Sequence, residues 1–221
     1  LPQHFKNNGY HAQAIGKLYH GVFPEGASNT KWDTMGDPES WSVPATRFGP
    51  RYYYTEEGIA AAKQTYQKVY KPKNPGPNDW TQKLVFGPAT ESPDVADNVL
   101  YDGKVADAAI KALPKLKAQS QPFFLAVGFI KPHSPYIAPK KYFDLYNNVE
   151  IADNLKLPAG APANAGHGSG ELRRYTDQPG AGPISAESQI RVRQAYYACV
   201  SYIDAQIGRV LDELDRLEMS K

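Results

Sequence analysis

The amino-acid sequence predicts an α/β fold, with helices packed on a mostly parallel sheet. Two observations predict it. The run Phe123–Phe129 contains no polar side chain, as expected for a strand covered on both faces. A helical pattern over Asp102–Ala118 separates that run from an earlier strand-like run at Tyr10–Gly16, and strand–helix–strand alternation builds parallel sheets.

Bulk properties narrow the function. The 221 residues suffice for one domain with a sizeable core, or for part of a larger one. A composition of 41% apolar and 22% charged residues is that of a globular chain rather than a disordered one. A net charge of +2 gives no bulk argument for nucleic acid as a partner. No apolar run approaches the roughly 18 residues of a membrane span, and Leu1-Pro2-Gln3-His4 lacks the basic start and apolar block of a signal peptide. The chain starts without Met on a helix-like pattern and stops at the end of another, so a piece of a longer protein is expected. The single cysteine, Cys199, forbids an intramolecular disulfide and a multi-cysteine zinc site.

The elements follow in order. Pro2–Asn8 reads as a helix end closed by Gly9. Tyr10–Gly16 reads as a short strand carrying Ala12, Ala14 and Ile15. Residues 21–100 lack periodicity and read as a long, mostly irregular excursion, with a helix over Glu57–Lys68 where Ala60, Ala61 and Ala62 favour it. Asp102–Ala118 places Val105, Ala109, Leu113 and Leu116 on one face, although Pro114 should kink it or mark its last turn. Phe123–Phe129 is the next strand, and Pro139–Tyr146 is a short helix opened by proline. Residues 151–184 are loop-like, with a Gly/Ala/Pro-rich stretch at 158–170. Ser185–Glu218 is a long helix with Ser185 at its N-cap. Tyr196, Val200, Ile203, Ile207, Val210, Leu214 and Leu217 give its apolar stripe. Cys199, next to that stripe, reads as a packed core residue.

Two segments carry the chemistry. Ala14-Ile15-Gly16-Lys17-Leu18-Tyr19-His20 and Val127-Gly128-Phe129-Ile130-Lys131-Pro132-His133 are each a short apolar strand ending in Lys with His close behind. Ligands of open α/β sheets bind beyond the carboxyl ends of the strands. If the two strands are parallel neighbours, Lys17, His20, Lys131 and His133 emerge on one rim. Two ammoniums and two imidazoles there suit a sulfate or phosphate group: lysine supplies a point charge and histidine a proton for a leaving oxygen. Read alone, each segment is more simply a solvated lysine and a structural histidine; it is their duplication that points to function. Trp41 and Tyr136 are candidate walls of the pocket, with aromatic core as the plainer role. Asp94, Asp97 and Asp102 read as solvated or helix-capping, and His4, His11 and His167 as structural or exposed. No paired-Asp metal cluster, no Gly-x-Ser-x-Gly elbow and no phosphate-cradling loop is present.

At these residues the sequence resembles the sulfatase family of the alkaline-phosphatase-like superfamily, in its iduronate-2-sulfatase and choline-sulfatase-like branch. The matching stretches are LPQHFKNNGY at 1–10, GKLYH at 16–20, PFFLAVGFIKPH at 122–133 and RQAYYACVSYIDAQIGRVL at 193–211. The resemblance implies an alkaline-phosphatase-like sheet flanked by helices, with 1–221 as the central part of one catalytic domain. It implies hydrolysis of sulfate esters of a small molecule or glycan, using a formylglycine made in a C/S-x-P-x-R motif and a calcium ion. By matching motifs, Lys17, His20 and His133 become the catalytic residues that bind sulfate and protonate the leaving alcohol. Lys131, Tyr136 and Trp41 become substrate-binding candidates, with Lys131 able to pair with a carboxylate instead. Metal ligands and nucleophile are expected outside these residues, because Cys199 lacks the required Pro and Arg. A periplasmic, secreted or lysosomal location is the family's habit. The alternatives are a phosphodiesterase or phosphonate hydrolase of the same superfamily, and a non-catalytic anion- or glycan-binding module.

Overall fold

A computed structural model describes residues 1–19, 37–48, 53–82, 85–148, 150, 158–162, 165 and 169–220. In chain order the regular elements are α1 (Pro2–Asn7), β1 (His11–Gly16), α2 (Glu56–Tyr70), β2 (Thr90–Glu91), α3 (Tyr101–Ala118), β3 (Phe123–Gly128), β4 (Tyr136–Ile137), α4 (Lys140–Asp144) and α5 (Ala186–Arg216). Single 3-10 turns at Pro38–Ser40, Asp79–Gln82, Asp97–Val99 and Glu171–Arg174 link them.

β1 and β3 pair in parallel, in register from His11↔Phe123 to Gly16↔Gly128. α3 is the crossover between them, as the alternation predicts. The outer edge of β1 is lined by a connecting segment: Ser42 N–H donates to Ala12 O at 2.7 Å and Thr46 N–H to Ala14 O at 2.9 Å. Both faces of the sheet are covered. On one, Phe124 and Ala126 join Ala12, Ala14 and Trp41, with Phe5 of α1 stacked on Phe124 at 4.8 Å. On the other, Leu125 and Val127 pack with Ile15, Val105 and Ala109 of α3.

Described residues of the excursion after β1 pack into the interior. Tyr53, Trp80, Val85, Leu100 and Ile137 are buried together against Tyr202 and Cys199 of α5, so this region builds a second core. α2 is longer than the sequence suggests, because Thr55 caps it by accepting from Gly58 N–H at 3.1 Å. Glu91, 6% exposed, locks that entry. It accepts from Tyr54 N–H at 2.8 Å and from Thr55 N–H at 2.9 Å. β2 and β4 form a parallel pair of two residues each.

α5 begins as predicted, with Ser185 Oγ accepting from Ser188 N–H at 3.2 Å. Its buried face differs from the predicted stripe. Ala195, Ala198, Cys199, Tyr202 and Gln206 point inward, whereas Tyr196, Val200 and Ile207 are 42%, 44% and 42% exposed. The offset of one residue is a rotation of about 100° on the helix. Alanine and cysteine allow close packing against α3 and α4, which larger side chains would prevent. Pro114 sits inside α3, which runs on to Ala118.

Candidate active site

The two strand ends that carry the Lys/His pattern leave the same edge of the sheet. Gly16 ends β1 at φ +84°, and Lys17 N–H donates to Gly128 O at 2.8 Å. A β-carbon on Gly128 would stand 2.0 Å from Lys17 O. The bare backbones therefore touch where β1 and β3 finish. Lys17 is half-buried, and its ammonium has no hydrogen bond or ion pair among the described residues. His20 lies outside the described residues.

The segment after β3 is a tight turn held from three sides. Asp102, in the first turn of α3, accepts from Ile130 N–H at 2.7 Å and Lys131 N–H at 3.0 Å. His133 N–H donates to Ile130 O at 3.0 Å. The Lys131 ammonium donates to His133 O at 2.9 Å and to Pro135 O. The Lys131–Pro132 and Ser134–Pro135 peptide bonds are cis. Lys131 thus spends two of its three donors within its own turn, with its charge lowered in cost by Asp102 nearby. Burial pushes its ammonium below the usual lysine range, against the pull of Cys199 and Asp102. It ties the turn together.

His133 is exposed. Its Nδ1 lies 2.7 Å from Ser134 O. A carbonyl can only accept, so Nδ1 carries a proton and Nε2 is the nitrogen left for chemistry. Nε2 stands 4.0 Å from Glu171 Oε1, and the same oxygen accepts from Ser134 Oγ at 2.9 Å. Tyr136, half-buried, packs edge-on to Tyr196 at 5.8 Å. Burial raises its phenol, and the Glu171 charge adds to the effect.

Trp41 takes the plainer of its two expected roles among the described residues. It is 7% exposed and packs under β1, a core role set by its contacts with Ala12 and Ala14. Asp102 and Asp97 are not solvated. Asp102 is 1% exposed. Burial raises its carboxyl, and the two backbone N–H groups and Lys131 oppose that. Asp97 accepts from Tyr142 O–H at 2.7 Å and Gln206 Nε2 at 2.9 Å, and pairs with Lys141 at 2.7 Å. Its burial is outweighed by these partners, so its carboxyl lies below the usual range. Ser134 and Glu171 are site residues that the sequence did not reveal. Glu171 follows a Gly-rich stretch, and no periodicity there marks it.

Neither cofactor implied by the resemblance fits the described residues. Among them no group of three or more His, Cys, Asp or Glu side chains is placed to hold a metal ion. Cys199 is fully buried within α5, and Ser201 and Ile203 stand where the formylglycine motif needs Pro and Arg. Among the described residues no helix is long and apolar enough to cross a membrane.

With this fold and rim in view, comparison with known proteins is direct. The chain belongs to the sulfatase family, whose family model, described as Sulfatase, matches residues 1–221. Iduronate 2-sulfatase of Homo sapiens is 33% identical over 228 residues, taking in 100% of this chain and 38% of that protein. A sulfatase of Formosa agariphila is 31% identical and takes in 100% of this chain and 39% of its own length. Choline-sulfatase of Rhizobium meliloti is 30% identical over 132 residues, 57% of this chain and 25% of that protein. The chain therefore spans 38–39% of the length of the first two relatives. The solved structure of Ps i-CgsB in complex with k-i-k-neocarrahexaose covers 99% of this chain and 36% of its own, with a TM-score of 0.52 at 15% identity, a likeness of fold. The α/β, alkaline-phosphatase-like architecture expected from the sequence is met.

Proposed function

We propose that the longer protein carrying these residues hydrolyses sulfate esters of carbohydrates, and that residues 1–221 form the central, anion-gripping part of its catalytic domain. The observation that carries this reading is the parallel register of β1 and β3, Gly16 opposite Gly128, from which Lys17 and the His133 turn leave one edge. Lys17 offers an uncommitted ammonium to a sulfate oxygen. In its doubly protonated form His133 keeps Nδ1–H on Ser134 O and offers Nε2–H as donor to the leaving alcohol oxygen, which takes that proton when the S–O bond breaks. Glu171, 4.0 Å away, attracts the ring in its protonated form. His20 is assigned the same anion-binding role as Lys17 on the strength of the motif. Tyr136 borders the turn and is assigned a substrate contact. Lys131 is left out of the sulfate contact, because two of its three ammonium donors are committed to the turn.

Calcium and formylglycine would have to come from segments outside these 221 residues. A location outside the cytoplasm, periplasmic, secreted or lysosomal, follows from the family resemblance. The test is separate Lys17→Ala and His133→Ala replacements in the full-length protein, assayed on an aryl sulfate and a sulfated sugar. Loss of such a donor should lower turnover on the order of a hundredfold. Turnover within about twofold of the unsubstituted enzyme for either variant removes that residue from the mechanism.

A further inference from the structure

A groove apart from the rim of Lys17 and His133 runs along α3. It is an open groove of about 490 Å³, bounded by α3, the outer part of β1 and the segment beside it. That volume falls in the range of small-molecule clefts, about 300–1,000 Å³. Lys104, Lys111 and Lys115 line it from one face of the helix. At 1.5 Å per residue they span about 16 Å along the axis. None of the three makes a hydrogen bond or ion pair among the described residues. The one acid in the lining, Asp107, is engaged by Arg209 from α5. The groove therefore presents three free cations and an acid whose charge is already offset.

Between the lysines the helix shows Asp107, held by Arg209, and the small side chains of Ala108 and Ala112, so the floor is open. The opposite wall offers the neutral side chains of Gln13 and Thr46, and the ring of Phe48, held edge-on to Tyr101 at 5.9 Å. Linear cation spacing, neutral hydrogen-bonding groups and an aromatic face suit a polymer with repeated anions and partly apolar rings. A sulfated oligosaccharide has that chemistry. A compact anion such as phosphate could bridge Lys111 and Lys115, four residues apart, but would not also reach Lys104.

We propose that this groove binds a sulfated glycan chain, at a site separate from the rim of Lys17 and His133. The choice of ligand rests on the sulfated-carbohydrate reading above; the groove itself does not. It gives the protein a second grip on a polymeric substrate whose end is being worked on elsewhere.

The probe is a heparin hexasaccharide, titrated by calorimetry into the full-length protein and into its K104Q/K111Q/K115Q variant. All three positions are exposed, so the variant keeps the fold, which circular dichroism checks. Three weak, exposed charge contacts together should be worth about tenfold in affinity. The variant's binding should also depend less steeply on salt. Phe48→Ala should weaken the hexasaccharide and leave inorganic polyphosphate unchanged. Affinity of the triple variant within twofold of the unsubstituted chain overturns the proposal. Equal binding of single-stranded poly(dT) overturns the glycan assignment in favour of a general polyanion surface. Lysine-dependent hexasaccharide binding in a protein that turns over no sulfate ester sinks the hydrolase reading and leaves the groove intact.

Discussion

Asp102, at the start of α3, holds the backbone of Lys131 by accepting its N–H at 3.0 Å, while its other oxygen takes Ile130 N–H at 2.7 Å. One buried carboxylate thus fixes the direction in which the chain leaves β3, and with it the position of His133. Replacing it by asparagine keeps one acceptor and turns an amide donor toward the second N–H. Asp102→Asn should cost about 1–3 kcal/mol, the price of a buried donor left unsatisfied. A shift of the urea midpoint with unchanged slope is the measurement. In the full-length protein the same variant should lower kcat while the rim charges of Lys17 and His133 remain, as a positioning residue would. An unchanged midpoint would show that the turn stands without Asp102.

The contact between Gly16 and Gly128 makes a sharper prediction. A β-carbon at Gly16 would sit 2.1 Å from Gly128 O, and one at Gly128 would sit 2.0 Å from Lys17 O. Both are collisions with backbone, which has no rotamer to escape into. Gly16 also adopts φ +84°, where an L side chain is strained. Gly128→Ala should therefore destabilise the chain by roughly 1–3 kcal/mol, the usual cost of an overpacked core. Gly16→Ala should cost more, because strain adds to collision. Gly9→Ala, at φ +86° with open space around it, separates the two effects by carrying strain alone. Thermal melts of the three variants should rank Gly16→Ala as the least stable. If Gly9→Ala is as damaging as Gly16→Ala, the crossing of the strands is looser than the structure has it.

Much of this was legible in the sequence, for physical reasons that differ by element. β3 and α3 were legible because an uninterrupted apolar run and a 3.6-residue period have few other readings. The shared rim followed, since two parallel strands joined by one crossover must end on the same side. The face of α5 was not legible. Its burial is carried by Ala195, Ala198 and Cys199, which contribute little hydrophobicity, while the large side chains of Val200 and Ile207 stay out. β2 and β4, of two residues each, are too short to show a period. Glu171 reaches Ser134 across 37 positions through a hydrogen bond, and nothing local announces such a partner. Lys131 was visible as a cation, but only coordinates show that its donors fold back on His133 O and Pro135 O.

Tyr202 joins the two cores. Its hydroxyl accepts from Gly103 N–H at 2.7 Å and donates to Asp97 O at 3.0 Å, both in α3 or its approach. The residue is fully buried. Tyr202→Phe keeps the ring and its packing against Tyr142 and removes only the hydroxyl. It leaves Gly103 N–H unsatisfied in the interior, at a cost of about 1–3 kcal/mol. Hydrogen exchange should show the Gly103 amide among those most accelerated. Exchange at Gly103 as slow as in the unsubstituted chain would mean that another acceptor takes the bond.

Cys199 predicts the alkaline limb of stability. Burial first, and then the Asp102 charge, push its thiol from 9.0 up to about 12, although Lys131 pulls the other way. Below pH 9 both the folded and the unfolded chain hold this proton, and its full contribution to stability is present. Above pH 9 the unfolded chain releases the proton and the folded one does not, so stability falls until the folded thiol ionises near pH 12. A shift of three units corresponds to at most about 4 kcal/mol across that window. Tyr53 and Tyr202, whose phenols burial also raises, steepen the fall above their usual range. Lys131 acts with the opposite sign. Its ammonium is lowered from 10.5, so the unfolded chain holds that proton more tightly, and stability gains as pH rises toward 10.5. A Cys199→Ser variant shares the tyrosines and the lysine and lacks the thiol titration. The difference in unfolding free energy between the two chains should therefore be flat below pH 9 and shrink steadily above it. The same burial should keep Cys199 unreactive toward iodoacetamide at pH 8 until denaturant is added. Rapid alkylation of the folded chain at that pH would place the thiol in reach of solvent, and α5 would have to be rotated from the face described above.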